Sequence, residues 1–290
     1  MLQRKPLIFV LLAALAVAAP TPDILSYDAA FNFTWSIWDV VDNATNTSSL
    51  HVLPPNTTWA NETCIGLVVF NASMYDQGWD YLQVVPNSST VNMSNYYVGG
   101  YGEGYVTHDR IDFVYDSMGI YELTPKAQTW VNEHIAYMEE QSSLQNSTFW
   151  VQVSNLLALM QGIADGYSAR AKELGTRELN FTQIFYLNFN TEYGDVETAV
   201  DDELKEGVHF RATERFQAQM KKRQYRDQHC SAFIKVTSED LFVSHDTWDI
   251  FENTIRMFKT YVMPEATVAY SGMAGLVASG DDWYITSNNL

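Results

Sequence analysis

Residues 226–236 read RDQHCSAFIKV, and they join two regions of opposite character. Upstream, Asn190 to His229 is mostly charged and polar: Asp195, Glu197, Asp201, Asp202 and Glu203, then Lys221, Lys222, Arg223 and Arg226. The acidic part has room for a short helix. The basic part reads equally well as an exposed linker with a protease site at Lys221-Lys222-Arg223 or as a solvated helical face. Downstream, Ser231–Val236 and Leu241–Ser244 are strand-like and are separated by the turn residues Thr237-Ser238-Glu239-Asp240. Cys230, one of two cysteines in the chain, sits at the boundary.

A thiol there points to a specific chemistry. If the bond between His229 and Cys230 is cut, Cys230 becomes an N-terminal residue whose own α-amino group can act as base for its thiol. Reference pKa values of ~7.7–8.0 for an α-amine and ~8.5 for a thiol match well for proton transfer. One residue then supplies nucleophile and base. The same thiol could open the His229–Cys230 bond by attacking the His229 carbonyl.

The N-terminus addresses the compartment. Arg4 and Lys5 precede an apolar run, Leu7 to Ala18, that ends in Ala16-Val17-Ala18. This is the layout of a secretory signal peptide over residues 1–18, too short to span a bilayer comfortably. Asn-x-Ser/Thr tripeptides stand at Asn32, Asn43, Asn46, Asn56, Asn61, Asn71, Asn87, Asn92, Asn146 and Asn180. Ten such sites behind a signal peptide predict a glycosylated luminal or extracellular surface. The formal net charge of −18 argues against nucleic acid and against anionic membranes as partners. Two cysteines exclude a disulfide scaffold but allow one Cys64–Cys230 bond. Cys64 opens the apolar run CIGLVVF and reads more simply as a small buried hydrophobe.

Along the chain, Cys64–Phe70 and Trp79–Val85 are strand-like, with Asn71–Gly78 as a turn. Val98–Tyr105, VGGYGEGY, lacks the spacing of a phosphate cradle and reads as close backbone packing. Lys126–Gln141 places Val131, Ile135 and Met138 on one helical face. Phe149–Leu174 does the same with Val153, Leu156, Leu157, Met160, Ala164 and Tyr167. Trp248, Phe251, Ile255, Phe258 and Val262 predict another amphipathic helix, with Asp246 as its N-cap. Ala266–Ser271 and Trp283–Thr286 predict a hairpin turned at Ser279–Asp282.

The block His229-Cys230-Ser231-Ala232-Phe233-Ile234-Lys235, followed by Leu241-Phe242-Val243-Ser244-His245-Asp246-Thr247-Trp248, resembles the phospholipase B-like family of lysosomal and secreted N-terminal nucleophile hydrolases. Gly78–Leu82, Gly102–Tyr105, Gly194–Glu197 and Ser279–Ser287 agree with it. The resemblance implies an α+β fold, an αββα sandwich of antiparallel sheets, here incomplete. It implies a signal peptide over 1–18, an N-terminal part of the hydrolase domain over 19–189, a charged linker or propeptide over 190–229, and a nucleophile-bearing part over 230–290. It implies Cys230 as nucleophile, His229–Cys230 as the autocatalytic cleavage site, and His245 and Trp248 as pocket residues. Asp246 replaces the family's usual Asn. The family's oxyanion-stabilising Asn and its Arg have no counterpart in this sequence, and such donors are worth about 3–4 kcal/mol each in well-studied hydrolases.

The expected function is hydrolysis of ester or amide bonds of lipids, in a secreted or lysosomal lumen, with a lipid substrate and no cofactor. The six histidines do not fall into metal-ligand spacing, so no metal site is expected. Ser231 lacks a Gly-x-Ser-x-Gly elbow. No membrane span is expected after signal cleavage, and the oligomeric state stays open. The alternative function is a non-catalytic, glycosylated binding or structural protein on the same fold, or an inactive fragment of it.

Overall fold

The computed structural model describes residues 33–42, 47–57, 62–87, 93–118, 123–200, 229–248, 254–281 and 283–287. The expected signal peptide over residues 1–18, Asn32, Asn43, Asn46, Asn61, Asn92, the basic cluster at 221–223 and Phe251 lie outside them.

The fold is α+β. Four strands, β1 (Thr34–Asp42), β2 (Thr47–Leu53), β3 (Thr63–Asn71) and β4 (Asp80–Pro86), form one half of a seven-stranded sheet. The other half is β7 (Met257–Val262), β8 (Thr267–Gly272) and β9 (Tyr284–Thr286). The order is β2-β1-β3-β4-β7-β8-β9. The sheet is mixed rather than wholly antiparallel, because β4 and β7 run parallel, Asp80 beside Met257 and Val84 beside Tyr261. β5 (His229–Val236) and β6 (Leu241–Trp248) form a separate antiparallel hairpin.

The turn expected at 71–78 contains a one-turn helix, α1 (Met74–Gln77). Gly78 ends it at φ 81°, a left-handed conformation that glycine adopts without steric cost. The glycine-rich stretch is itself a helix, α2 (Asn95–Val106), capped by Ser94 Oγ, which accepts from Tyr96 N. α3 (His108–Met118) follows. α4 (Pro125–Leu144) starts with Pro at its first position and Thr124 as cap. α5 (Thr148–Leu174) ends at Gly175 with φ 67°. α6 (Phe181–Phe189) opens with a capping box formed by Asn180 and Gln183. α7 (Tyr193–Val200) occupies the start of the stretch expected as linker. Tyr193 and Glu197 on it are buried, and Glu197 Oε1 accepts from Thr124 N at 3.0 Å.

α2 is the centre of the molecule, and every residue from Val98 to Val106 is buried. Four glycines in twelve residues cost an isolated helix about 1 kcal/mol each, so packing must supply the reason for them. It does so on two sides. A Cβ at Gly99 would touch Val84 and Met263, and one at Gly102 would collide with Val68 and Ile37 of the sheet. A Cβ at Gly100 or Gly104 would collide with the carbonyl oxygens of Leu159 and Ile163 on α5. Gly162 and Gly166 of α5 return the relation against Tyr97 and Tyr101. Sheet, α2 and α5 are thus three layers around one core that includes Ile37, Val68, Val84, Ile163, Tyr167 and Met257.

Two local expectations need correction. Met257–Val262 is a strand, not part of an amphipathic helix, and Asp246 lies within β6 rather than at a helix cap. The periodicity at Phe258 and Val262 is overridden by ladder hydrogen bonds to β4 and β8, which recruit partners far away in sequence. Cys64 is exposed, not buried. Between Ile37 and Trp38 of β1 the register shifts, Ile37 pairing with Gly66 and Trp38 with Cys64. The extra residue, Ile65, is fully buried, and the bulge leaves Cys64 on the outside. Cys64 and Cys230 are both free thiols, so they form no bond to each other.

Candidate active site

The β5–β6 hairpin carries the candidate residues. Its turn is fixed by Thr237: the main-chain N donates to Asp240 O at 2.9 Å, and Oγ1 accepts from Asp240 N at 2.9 Å. From that turn the register is unbroken to the far end, Ala232 opposite His245, Cys230 opposite Thr247 and His229 opposite Trp248. Residues directly opposite in an antiparallel pair share a face, and so do residues two apart in one strand. Cys230 and His245 therefore lie on one face as diagonal neighbours, a Cα relation of about 7–8 Å. Ser231, Asp246 and Trp248 take register positions of the alternate set. The hairpin brings the expected nucleophile and the expected histidine together and sets Trp248 one position out of their register.

The bond between His229 and Cys230 falls at the first step of β5, in extended backbone. The Cys230 side chain is exposed and its thiol is free. Cutting there would leave the Cys230 backbone still held in the ladder opposite Thr247, so a new α-amine would be positioned by β-pairing rather than by a loose end. The Cys230 face of the hairpin is apolar, and the other mixes Phe233 and Phe242 with Ser231, Lys235, Ser244 and Asp246. Ile234, Val236 and Val243 on the Cys230 face, and Phe233 and Phe242 on the other, are exposed, Val236 to 78%. A two-stranded ribbon is marginal by itself and is stabilised by packing of one or both faces.

The other pieces of sequence singled out above turn out to hold the scaffold. Asp80 is fully buried; its Oδ2 accepts from Arg110 Nε at 2.6 Å and its Oδ1 from Met74 N at 2.8 Å. Ser279 Oγ accepts from Asp281 N and Trp283 N, shaping the turn before β9.

Glu103, between two glycines of α2, was missed as a candidate by sequence reasoning. It is fully buried and accepts three hydrogen bonds: from Lys259 Nζ at 2.5 Å, from Gly275 N at 2.9 Å and from Tyr261 Oη. Lys259 is fully buried too, and its ammonium also donates to Leu276 O at 2.7 Å. Burial pulls the Lys259 ammonium below its usual range, and Glu103 opposes this. Burial, with Glu103 adding to it, pushes the Tyr270 phenol well up. The one signal available was a lone acid inside a run of glycines (VGGYGEGYV), where an unpaired charge would have no place.

Among the described residues, no group of His, Cys, Asp and Glu is placed to hold a metal ion, and no helix is long and apolar enough to cross a membrane.

The model of the phospholipase B family matches residues 66–290. The chain belongs to the phospholipase B family. It is 27% identical over 246 residues to phospholipase B-like protein B of Dictyostelium discoideum, covering 79% of this chain and 42% of that protein. It is 26% identical to phospholipase B-like protein C of the same organism over 76% of this chain and 40% of the relative. It is 24% identical to phospholipase B-like 1 of Bos taurus over 76% of this chain and 42% of the relative. The chain spans about two-fifths of the length of these relatives.

Proposed function

We propose that this chain is the nucleophile-bearing portion of a phospholipase B-like hydrolase acting on ester or amide bonds of lipids. The observation that carries the reading is the hairpin register: Cys230 and His245 on one face, with the His229–Cys230 bond at the strand's first step. The chain divides as the sequence implies, with a signal peptide over 1–18, residues 19–189 as the first part of the hydrolase, 190–229 as a segment ahead of the cut, and 230–290 bearing the nucleophile. It is a secreted or lysosomal glycoprotein.

In this reading the Cys230 thiol first attacks the His229 carbonyl, and water opens the resulting thioester to leave Cys230 with a free α-amine. That amine then accepts the thiol proton as sulfur attacks a lipid carbonyl. The C–O or C–N bond breaks, the leaving alcohol or amine takes the proton, and water hydrolyses the acyl thioester. His245 and Trp248 line the pocket. No residue of this sequence is assigned as oxyanion donor, and the relatives are longer than the stretch they share with this chain.

The test is N-terminal mass spectrometry of the secreted, deglycosylated protein. Two pieces are expected, the smaller beginning at Cys230, and Cys230→Ala should stay whole at that bond. An intact wild-type chain would remove the nucleophile reading and leave a non-catalytic binding role.

A further inference from the structure

A groove of about 340 Å³ opens between the C-terminal half of α4, the middle of α5 and the start of α6. That lies within the ~300–1,000 Å³ typical of ligand sites. Its lining includes Glu139, Ser142, Ser143, Ser154, Gln161 and Phe181.

The lining is polar along α4 and α5. Ser142 Oγ donates to Glu139 O at 3.1 Å, and Ser143 Oγ donates to Glu140 O at 2.7 Å. Gln161 Nε2 donates to Asp165 Oδ1 at 2.9 Å. These three protons are spent inside the protein, while Gln161 keeps a second N–H and Ser154 its O–H, so the groove offers acceptors (two hydroxyl oxygens, the Gln161 carbonyl and the Glu139 carboxylate) together with a few donors. Phe181 adds a flat apolar wall. A groove of polar groups with Phe181, Leu157 and Ala158 as its apolar part suits a ligand rich in hydroxyls with apolar C–H faces, which is the chemistry of a sugar.

The residue before Phe181 is Asn180 of the tripeptide Asn180-Phe181-Thr182. Asn180 is exposed. Its Oδ1 accepts from Gln183 N at 3.0 Å, and its main-chain N donates to Gln183 Oε1 at 2.9 Å. The capping box therefore fixes the side-chain amide through its oxygen and leaves Nδ2 without a hydrogen-bond partner in the structure.

We propose that Asn180 carries an N-linked glycan whose first sugars are seated in the groove between α4, α5 and α6. This rests on the glycoprotein reading given above. In the transfer, Asn180 Nδ2 bonds to the anomeric carbon of a lipid-pyrophosphate-linked oligosaccharide. The bond from that carbon to the pyrophosphate oxygen breaks, and Nδ2 gives up one proton. The host's transferase supplies the donor. Because the cap uses Oδ1 alone, the modified side chain keeps its place at the head of α6, and the sugar becomes a packed part of the three-helix contact rather than a free surface chain.

The test is site-resolved glycopeptide mass spectrometry on the full chain secreted from a eukaryotic host, with timed endoglycosidase digestion under native conditions. Asn180 should be occupied, and its glycan should be released at least ten-fold more slowly than the one on exposed Asn146. In Ser154→Trp, which fills the groove from the exposed side of α5, the two rates should converge. Thr182→Ala should remove the glycan while leaving the Asn180 cap intact, confirming the assignment. An unoccupied Asn180 beside an occupied Asn146, equal release rates, or slow release that Ser154→Trp leaves unchanged would each overturn the inference alone. A chain with no occupied asparagine would overturn the glycoprotein reading and this inference with it.

Discussion

Lys259→Met is the sharpest test of how this core is built. Both Lys259 and Glu103 are fully buried, and Nζ to Oε1 is 2.5 Å. Removing the lysine leaves a carboxylate in the core with Tyr261 Oη and Gly275 N as its remaining donors. Breaking a buried pair from one side costs about 3–5 kcal/mol, because the surviving charge keeps its desolvation penalty. Domains of this size are stable by about 5–15 kcal/mol, so the variant should lose a large part of its stability. Pairing the change with Glu103→Gln removes both charges. The glutamine carbonyl can still accept from Gly275 N, and its amide, in the place of Oε2, can donate to the Tyr261 phenol oxygen. The double variant should return to within about 1–2 kcal/mol of the parent, since neutral, hydrogen-bonded replacements of buried pairs are often tolerated. The assay is urea unfolding by tryptophan fluorescence, with the denaturant slope checked for constancy. A Lys259→Met cost below about 1 kcal/mol, or a double variant no more stable than Lys259→Met, would refute the view that an uncompensated charge dominates this node.

Gly104→Ala should destabilise, by about 1–3 kcal/mol or more, although alanine is the better helix former by about 1 kcal/mol, because its Cβ would meet the Ile163 carbonyl. Thermal unfolding followed by circular dichroism reads the sign. His108 stacks on Tyr167 at 4.4 Å and its Nε2 lies 3.1 Å from Thr176 Oγ1. Burial lowers its pKa, with Arg170 and Arg177 adding to the effect and Asp112 and Asp109 opposing it. The unfolded state then takes up the proton first as pH falls below about 6.5, so this histidine's contribution is present above that pH and is lost on acidification. Melting temperatures at pH 7.5 and 5 should differ less in His108→Gln than in the parent. Cys64 and Cys230 should both react with an alkylating reagent in the native, unreduced protein, since both are exposed free thiols. Two unreacted sulfurs would restore a disulfide between them.

The local elements were legible where their signals are local. The apolar faces of Lys126–Gln141 and Phe149–Leu174, and the Thr237–Asp240 turn between two β-branched and aromatic runs, all fix backbone through near neighbours. The family resemblance was legible from the same hairpin sequence, because its residues are contiguous in the chain. The place of Cys230 and His245 on one face also follows once the turn sets the register.

Other features are set by partners far away in the chain. β7 looks helical by spacing, but its identity comes from a parallel ladder with β4, residues that precede it by most of the domain. The glycines of α2 say only that something comes close; that the sheet takes Gly99 and Gly102 while α5 takes Gly100 and Gly104 is a property of three packed layers. Cys64 is turned outward, against expectation, by one β-bulge against β1. Glu103 acquires its meaning only when Lys259 arrives beside it from β7. Sequence by itself determined the long helices α4 and α5, the Thr237–Asp240 turn and the β5–β6 hairpin, because propensity, capping and turn chemistry act over a few residues. Tertiary structure decided strand pairing, the bulge and the buried ion pair, because desolvation and ladder hydrogen bonds depend on which distant residue comes to stand opposite.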